Sequence, residues 1–166
     1  MASKAFTVTP EQYLATQFER EPELVRGEIA ERPLPTFQHG NIQLRMGSRL
    51  MALQQSYPVF TSVEVRVRMA LDLYRIPDIS MWEGAVPDGV PATPPLLVVE
   101  ISSPDDRLDA MLQKLEEYRA WGVQHIWLVE PELKRIHVYD GGSLNAVSGL
   151  ELVQFGFAVS AEELFS

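Results

Sequence analysis

Asp78 lies in Arg75-Ile76-Pro77-Asp78-Ile79, among residues that otherwise suit a strand interior, and Glu100 ends Leu96-Leu97-Val98-Val99-Glu100, the most apolar stretch of the chain. An ionised carboxylate buried without a partner is strongly destabilising, so two acids at the ends of neighbouring core strands need something to offset their charge. A hard divalent cation with oxygen ligands is one such group, and a plain salt bridge is another. Lys114 is the third candidate. It lies three residues after Met111 and four before Tyr118, on a helix face turned partly toward the sheet. A lysine there can position or activate a water molecule. It can equally snorkel beside Tyr118 or pair with Glu117 or Glu100, and ion-pair networks of that kind imitate active sites.

These residues need a scaffold, and the hydrophobic pattern supplies one. Thr9-Pro10-Glu11-Gln12 is a capping box with proline at the first helical position, which predicts a helix over 10–20. Residues 24–32 read as a short strand pair or a bent strand through Gly27, and Pro33 and Pro35 close the segment. Over 38–55, Ile42, Met46, Leu50 and Leu53 form one face of an amphipathic helix, with His39 near its start. Val63, Val65, Val67 and Met69 alternate with charged residues, the pattern of a strand with one wet face. Strands over 75–82 and 96–101 follow, separated by a loop rich in proline and glycine. Ser102-Ser103-Pro104-Asp105 signals a helix entry, Leu108, Met111, Leu115 and Tyr118 give its inward stripe, and Gly122 ends it. A strand over 125–130 completes a right-handed crossover, so the strands around Leu97 and Ile126 are expected to be parallel. Residues 135–140, the Gly141-Gly142 turn and residues 150–155 predict a hairpin, and Ser160 with Glu163 caps a last short helix.

The predicted fold class is therefore α/β: an αβββαβ core with a mixed central sheet, an added N-terminal helix and a C-terminal hairpin. A length of 166 residues with 46% hydrophobic content suits a single domain over 1–166. No cysteine is present, which excludes a disulfide scaffold, Cys-based zinc sites and thiol nucleophiles. The opening MASKAFTVTPEQ lacks a secretory pattern and no stretch is long and apolar enough to span a membrane, so a cytoplasmic protein is expected. The net charge of −9 has the wrong sign for a protein that coats a polyanion. Converging carboxylates that bind divalent cations would reverse that field locally.

Five segments in order, VRGEIAERPLPTFQHGNI, YRIPDIS, PPLLVVEISSPDDR, QKLEEYRAWGVQHIWLVEP and RIHVYD, resemble the Uma-type family of restriction endonucleases, a branch of the PD-(D/E)XK nuclease superfamily. The resemblance spans nearly the whole chain. It implies a restriction-endonuclease-like fold, with Asp78 and Glu100 holding Mg²⁺, for which Mn²⁺ can substitute, and Lys114 near the attacked phosphate. The superfamily pattern puts its lysine two residues after the second acid, where this chain has Ser102. In the Uma-type branch that lysine moves into the following helix, where Lys114 stands. Glu28 resembles the family's upstream acid, a metal ligand or a solvated strand glutamate, and His39 its helix-opening histidine, better suited to capping or core hydrogen bonding.

The activity so implied is hydrolysis of nucleic acid, DNA in the first instance, with the backbone carbonyl of Ile101 as a further metal ligand. A homodimer is expected with it, since cutting two strands favours two sites and twofold symmetry is the commonest closed arrangement. A nuclease fold kept only for binding nucleic acid or protein is the alternative, and hydrolysis of another phosphate ester is a third. Tyr118, Trp121, His125 and His137 read as structural, and Asp105, Asp106 and Asp109 as a solvated first turn, from which Asp105 could also approach a metal.

Overall fold

The structure is a computed structural model that describes residues 7–166; the opening segment read above for its lack of a secretory pattern lies partly outside them. A six-stranded mixed sheet forms the centre, in the order β10-β9-β8-β7-β6-β3. Its members are β3 (Val59–Val63), β6 (Ile79–Glu83), β7 (Leu97–Ile101), β8 (His125–Glu130), β9 (Arg135–Asp140) and β10 (Ser143–Val147). Only β7 and β8 run parallel, with Leu97 opposite His125 and Ile101 opposite Val129, as the crossover through helix α3 (Leu108–Trp121) requires.

Alternation along β7 sorts its side chains between two layers. Leu97, Val99 and Ile101 face helix α2 (Phe37–Ala52) and pack with Ile42, Met46 and Leu50. Val98 faces α3 and packs with Met111, Leu115 and Tyr118. Glu100 has the parity of Val98, so its carboxylate enters the α3 layer. The strand is buried at every position, which is why its sequence shows no polar alternation.

Helix α1 (Pro10–Ala15) has the expected capping box on Thr9 and Gln12. It stops well before residue 20, because buried Tyr13 donates from its hydroxyl to the Pro22 carbonyl at 2.8 Å and the chain turns back. β1 (Glu23–Val25) and β2 (Glu28–Ala30) form the expected strand pair. They belong to a second sheet with order β2-β1-β5-β4, completed by β5 (Leu73–Arg75) and β4 (Val67–Ala70).

This second sheet corrects two predicted strands. The alternating run from Val63 to Met69 is broken at Glu64, where φ is +53°, so its halves enter different sheets. The predicted strand over 75–82 is likewise divided between β5 and β6. Pro77 has no amide hydrogen for a ladder, and Ile76 to Asp78 cross the gap between the sheets. The pattern at the start of α3 also misled. Ser103 to Asp106 form a turn, with the Ser103 amide donating to Asp106 Oδ2 at 2.7 Å, and Leu108 is 63% exposed instead of lining the inward stripe. Gly122 ends α3 as expected, at φ +112°.

At the C-terminal end, the turn at Gly141 and Gly142, both at positive φ, joins β9 to β10 and not to residues 150–155. The segment Ser-Leu-Asn-Ala-Val forms an edge strand in which no residue is buried. Residues 150–155 belong instead to β11 (Gly149–Leu152), which pairs with β12 (Phe157–Ser160), and to a short helical turn. Leu150, Leu152, Phe157 and Val159 seal the α2 side of the core. Helix α4 (Ala161–Phe165) has the expected capping box on Ser160 and Glu163. Among the described residues, no helix is long and apolar enough to cross a membrane.

Candidate active site

Asp78 and Glu100 meet because β6 and β7 are antiparallel neighbours. Ile79 is opposite Val99, and extending that register by one residue sets Asp78 beside Glu100 on the α3 side. The two carboxylates are 4% and 3% exposed. Asp78 Oδ2 accepts a 2.7 Å hydrogen bond from the Ile101 amide, while Oδ1 faces His39 Nε2 at 3.2 Å and Arg32 Nη2 at 3.5 Å. Glu100 Oε1 accepts from the Tyr118 hydroxyl at 2.7 Å and lies 2.9 Å from Lys114 Nζ. Tyr118 and Lys114, one turn apart on α3, thus reach the same oxygen.

Asp78, Glu100, Ile101, Lys114 and His39 line one cavity of about 180 Å³. Glu28 does not. It is exposed on β2, opposite Val25, and its side chain is absent from the cavity wall. A further acid on the cavity wall, not among the sequence candidates, is Glu23 at the start of β1. The signal that would find it is long-range: β1 pairs with β5, which sets Glu23 against Arg75 and Ile76. Glu23 Oε1 accepts from the Ile76 amide at 2.9 Å and lies 2.9 Å from Lys114 Nζ, while Oε2 accepts from Arg75 Nη1 at 2.9 Å. Arg75 also holds Glu117 at 2.6 Å. Of the pairings open to Lys114, the fold therefore selects Glu100 and adds Glu23, leaving Glu117 to Arg75.

The electrostatics follow from three buried acids sharing one buried ammonium. Burial first, and then the neighbouring Glu100, push the Asp78 carboxyl up to about 8. Burial also raises Glu100, helped by Glu23 and opposed by Lys114 and the Tyr118 hydrogen bond. Glu23 is also penalised by burial, yet Lys114 and Arg75 outweigh that and hold it below the ordinary glutamate value. Lys114 is raised, since Glu100, Glu23 and Asp78 together overcome its desolvation. Burial lowers His39 below the ordinary histidine value.

These features fit a divalent cation at the Asp78 end. A buried carboxyl held near 8 lacks sufficient positive charge around it. His39 Nε2 is buried, has no hydrogen-bond partner and sits 3.2 Å from Asp78 Oδ1. Oxygen and imidazole donors suit such an ion. Among the described residues no three His, Asp or Glu side chains are already grouped as a metal cage, and the Oε1 atom of Glu100 is engaged by Lys114 and Tyr118.

A family model described as "Uma2: Putative restriction endonuclease" matches residues 10–165. No curated protein matches the chain. Among solved structures, a crystal structure of "a putative nuclease belonging to DUF820" from Anabaena variabilis ATCC 29413 is similar with a TM-score of 0.84 and 21% identity, covering 95% of this chain and 97% of that one. At that identity the likeness establishes a shared mixed α/β fold alone.

Proposed function

We propose metal-dependent hydrolysis of phosphodiester bonds in nucleic acid, with DNA as substrate, for this chain, which belongs to the Uma2 family. The observation that carries the reading is the convergence of Asp78, Glu100 and Lys114 on one cavity, with Asp78 short of compensating charge. Asp78 and Glu100 would hold Mg²⁺ or Mn²⁺, with the Ile101 carbonyl as a further ligand. The ion supplies Lewis acidity toward the phosphoryl oxygen and lowers the pKa of bound water. The Ile101 amide orients Asp78, and the Tyr118 hydroxyl orients Glu100. Lys114 presents a fixed, largely buried cation where negative charge develops on the phosphoryl oxygens. Glu23 holds the ammonium together with Glu100.

Incubating plasmid, single-stranded DNA and RNA with the protein in Mg²⁺ or Mn²⁺ tests this directly. Cleavage should require the metal, and Glu100→Gln should reduce it on the order of a hundredfold or more. The reading fails if wild type cuts none of them in either metal. One observation favours the alternative of a binding module: Lys114 is already paired on both sides, as a purely structural ion network would be. Calorimetric Mn²⁺ titration separates the two, because only the nuclease reading needs a saturable site that Asp78→Ala abolishes.

The same proposal includes a single nuclease domain over the whole chain, a cytoplasmic location and a homodimer. For the dimer, α2 offers a surface. Phe37, Leu44 and Met51 recur every seven residues on its exposed face, interleaved with Gly40 and Gly47, and that face carries no charge. Two copies of a chain of charge −9 would associate there with little local repulsion. Light scattering at high protein concentration should give a dimer mass that Leu44→Glu converts to a monomer. A monomeric wild type would refute the assembly.

A further inference from the structure

We infer that Arg32 is the residue that grips a backbone phosphate of the nucleic acid at the cavity mouth, an assignment that rests on the nuclease reading above. A polyanion approaching a chain of charge −9 must find local cations, and five basic side chains line the cavity. Four of them are engaged at short range. Arg75 is bound to Glu23 at 2.9 Å and Glu117 at 2.6 Å, and Lys114 lies 2.9 Å from both Glu23 and Glu100. Arg107 spends its fork on Asp109, at 3.1 and 2.8 Å. Arg20 donates to the Arg32 carbonyl at 2.7 Å and to the Pro33 carbonyl.

Arg32 differs. Its guanidinium contacts Asp78 Oδ1 at 3.5 Å and Glu64 Oε2 at 3.6 Å, both well beyond the roughly 2.7 to 2.9 Å of a charge-assisted hydrogen bond. Its backbone is held firmly nonetheless. Arg20 grips the carbonyls on either side of the Arg32–Pro33 bond, and Pro33 restricts the following φ. The side chain is 13% exposed and lines the cavity, so it is largely desolvated. A planar fork on a fixed stem, without a tight partner and adjacent to Asp78, matches the bidentate geometry that arginine offers phosphate.

Binding of a short fluorescent DNA duplex, measured by anisotropy in Ca²⁺ across about 50 to 200 mM salt, tests the assignment. Arg32→Gln should weaken binding severalfold, equally on unrelated sequences, and make the slope of log affinity against log salt shallower by about 0.9, the value of one phosphate contact. Glu64, 46% exposed on the other side of Arg32, supplies a second variant that leaves the core intact. Glu64→Gln should tighten binding, and the gain should vanish in the Arg32→Gln background. If wild type binds but Arg32→Gln leaves the slope unchanged, or Glu64→Gln gains equally in both backgrounds, the phosphate assignment is overturned and the nuclease reading stands. If wild type binds neither this duplex nor single-stranded DNA or RNA, both fall.

Discussion

Lys114→Met should lower the melting temperature at neutral pH by on the order of 10 °C, the largest stability loss of any single substitution at the cavity. The ammonium lies 2.9 Å from Glu23 and 2.9 Å from Glu100, and all three side chains are mostly buried. Removing one partner of a buried pair costs about 3 to 5 kcal/mol, because the remaining charge is left unpaired. For a chain of this length each kcal/mol corresponds to roughly 2 to 4 °C. The pH dependence identifies the cause. Without the ammonium, Glu100 loses the charge that opposes its burial and Glu23 keeps Arg75 alone as its cation, so the deficit grows as pH rises above the ordinary glutamate value of 4.5 and shrinks toward pH 4. In the wild type, the depressed Glu23 contributes stability that is present above 4.5 and lost as pH falls through its folded value. The raised Lys114 contributes fully below its ordinary value of 10.5. Thermal melts in EDTA near pH 4 and pH 7.5 therefore decide the matter. An equal loss at both pH values would mean that packing of the lysine stem, and not charge, is what the substitution removes.

Asp78→Asn should do the opposite in the absence of metal and melt several degrees higher than the wild type at pH 8. The Asp78 carboxyl is raised from 3.8 to about 8 in the folded protein, chiefly by burial and then by Glu100. A carboxyl with a raised folded pKa contributes stability that is complete below the unfolded value and is lost as pH climbs through the folded one, here across the window from about 4 to 8. Asparagine keeps an acceptor for the Ile101 amide and carries no charge to lose. The wild type in EDTA should thus fall away from the variant progressively over that window and run parallel to it above. Divalent metal should reverse the order. Saturation at a hundredfold excess over Kd adds about 2.7 kcal/mol to a protein that binds only when folded, several degrees here, and Mn²⁺ should give this to the wild type but hardly to the variant. If Asp78 serves only to pair with Arg32, the asparagine variant melts lower in EDTA at every pH above 4. No Mn²⁺ shift in the wild type would remove the metal site while leaving the fold untouched.

The site and the fold were legible in the sequence to different depths. Asp78 and Glu100 stand out in the chain because each interrupts an apolar run, and that is a local property. Strand β7 was readable for the same reason, since burial on both faces leaves no polar alternation. The parallel pairing of β7 with β8 followed from a helix of the right length between them. Helix caps at Thr9, Ser160 and Gly122 were set by single residues whose side chain or φ decides the backbone locally.

Sheet membership was a different matter. Residues 63 to 69 alternate without a break, yet Glu64 at positive φ sends one half to the central sheet and the other to the small one. Period-two alternation reports which side of a strand is wet, and says nothing about which sheet the strand joins. The choice of Glu23 over Glu28 is another tertiary decision. Both are glutamates on adjacent short strands, and only the pairing of β1 with β5, about fifty residues away in the chain, buries one against Arg75 and Lys114 and leaves the other in solvent. Burial of a charge depends on partners that arrive from distant segments, so its cost and its compensation are written in the tertiary structure. The sequence by itself determined that two acids would be buried at strand ends. The fold decided which third acid, which cation and which loosely held arginine stand beside them.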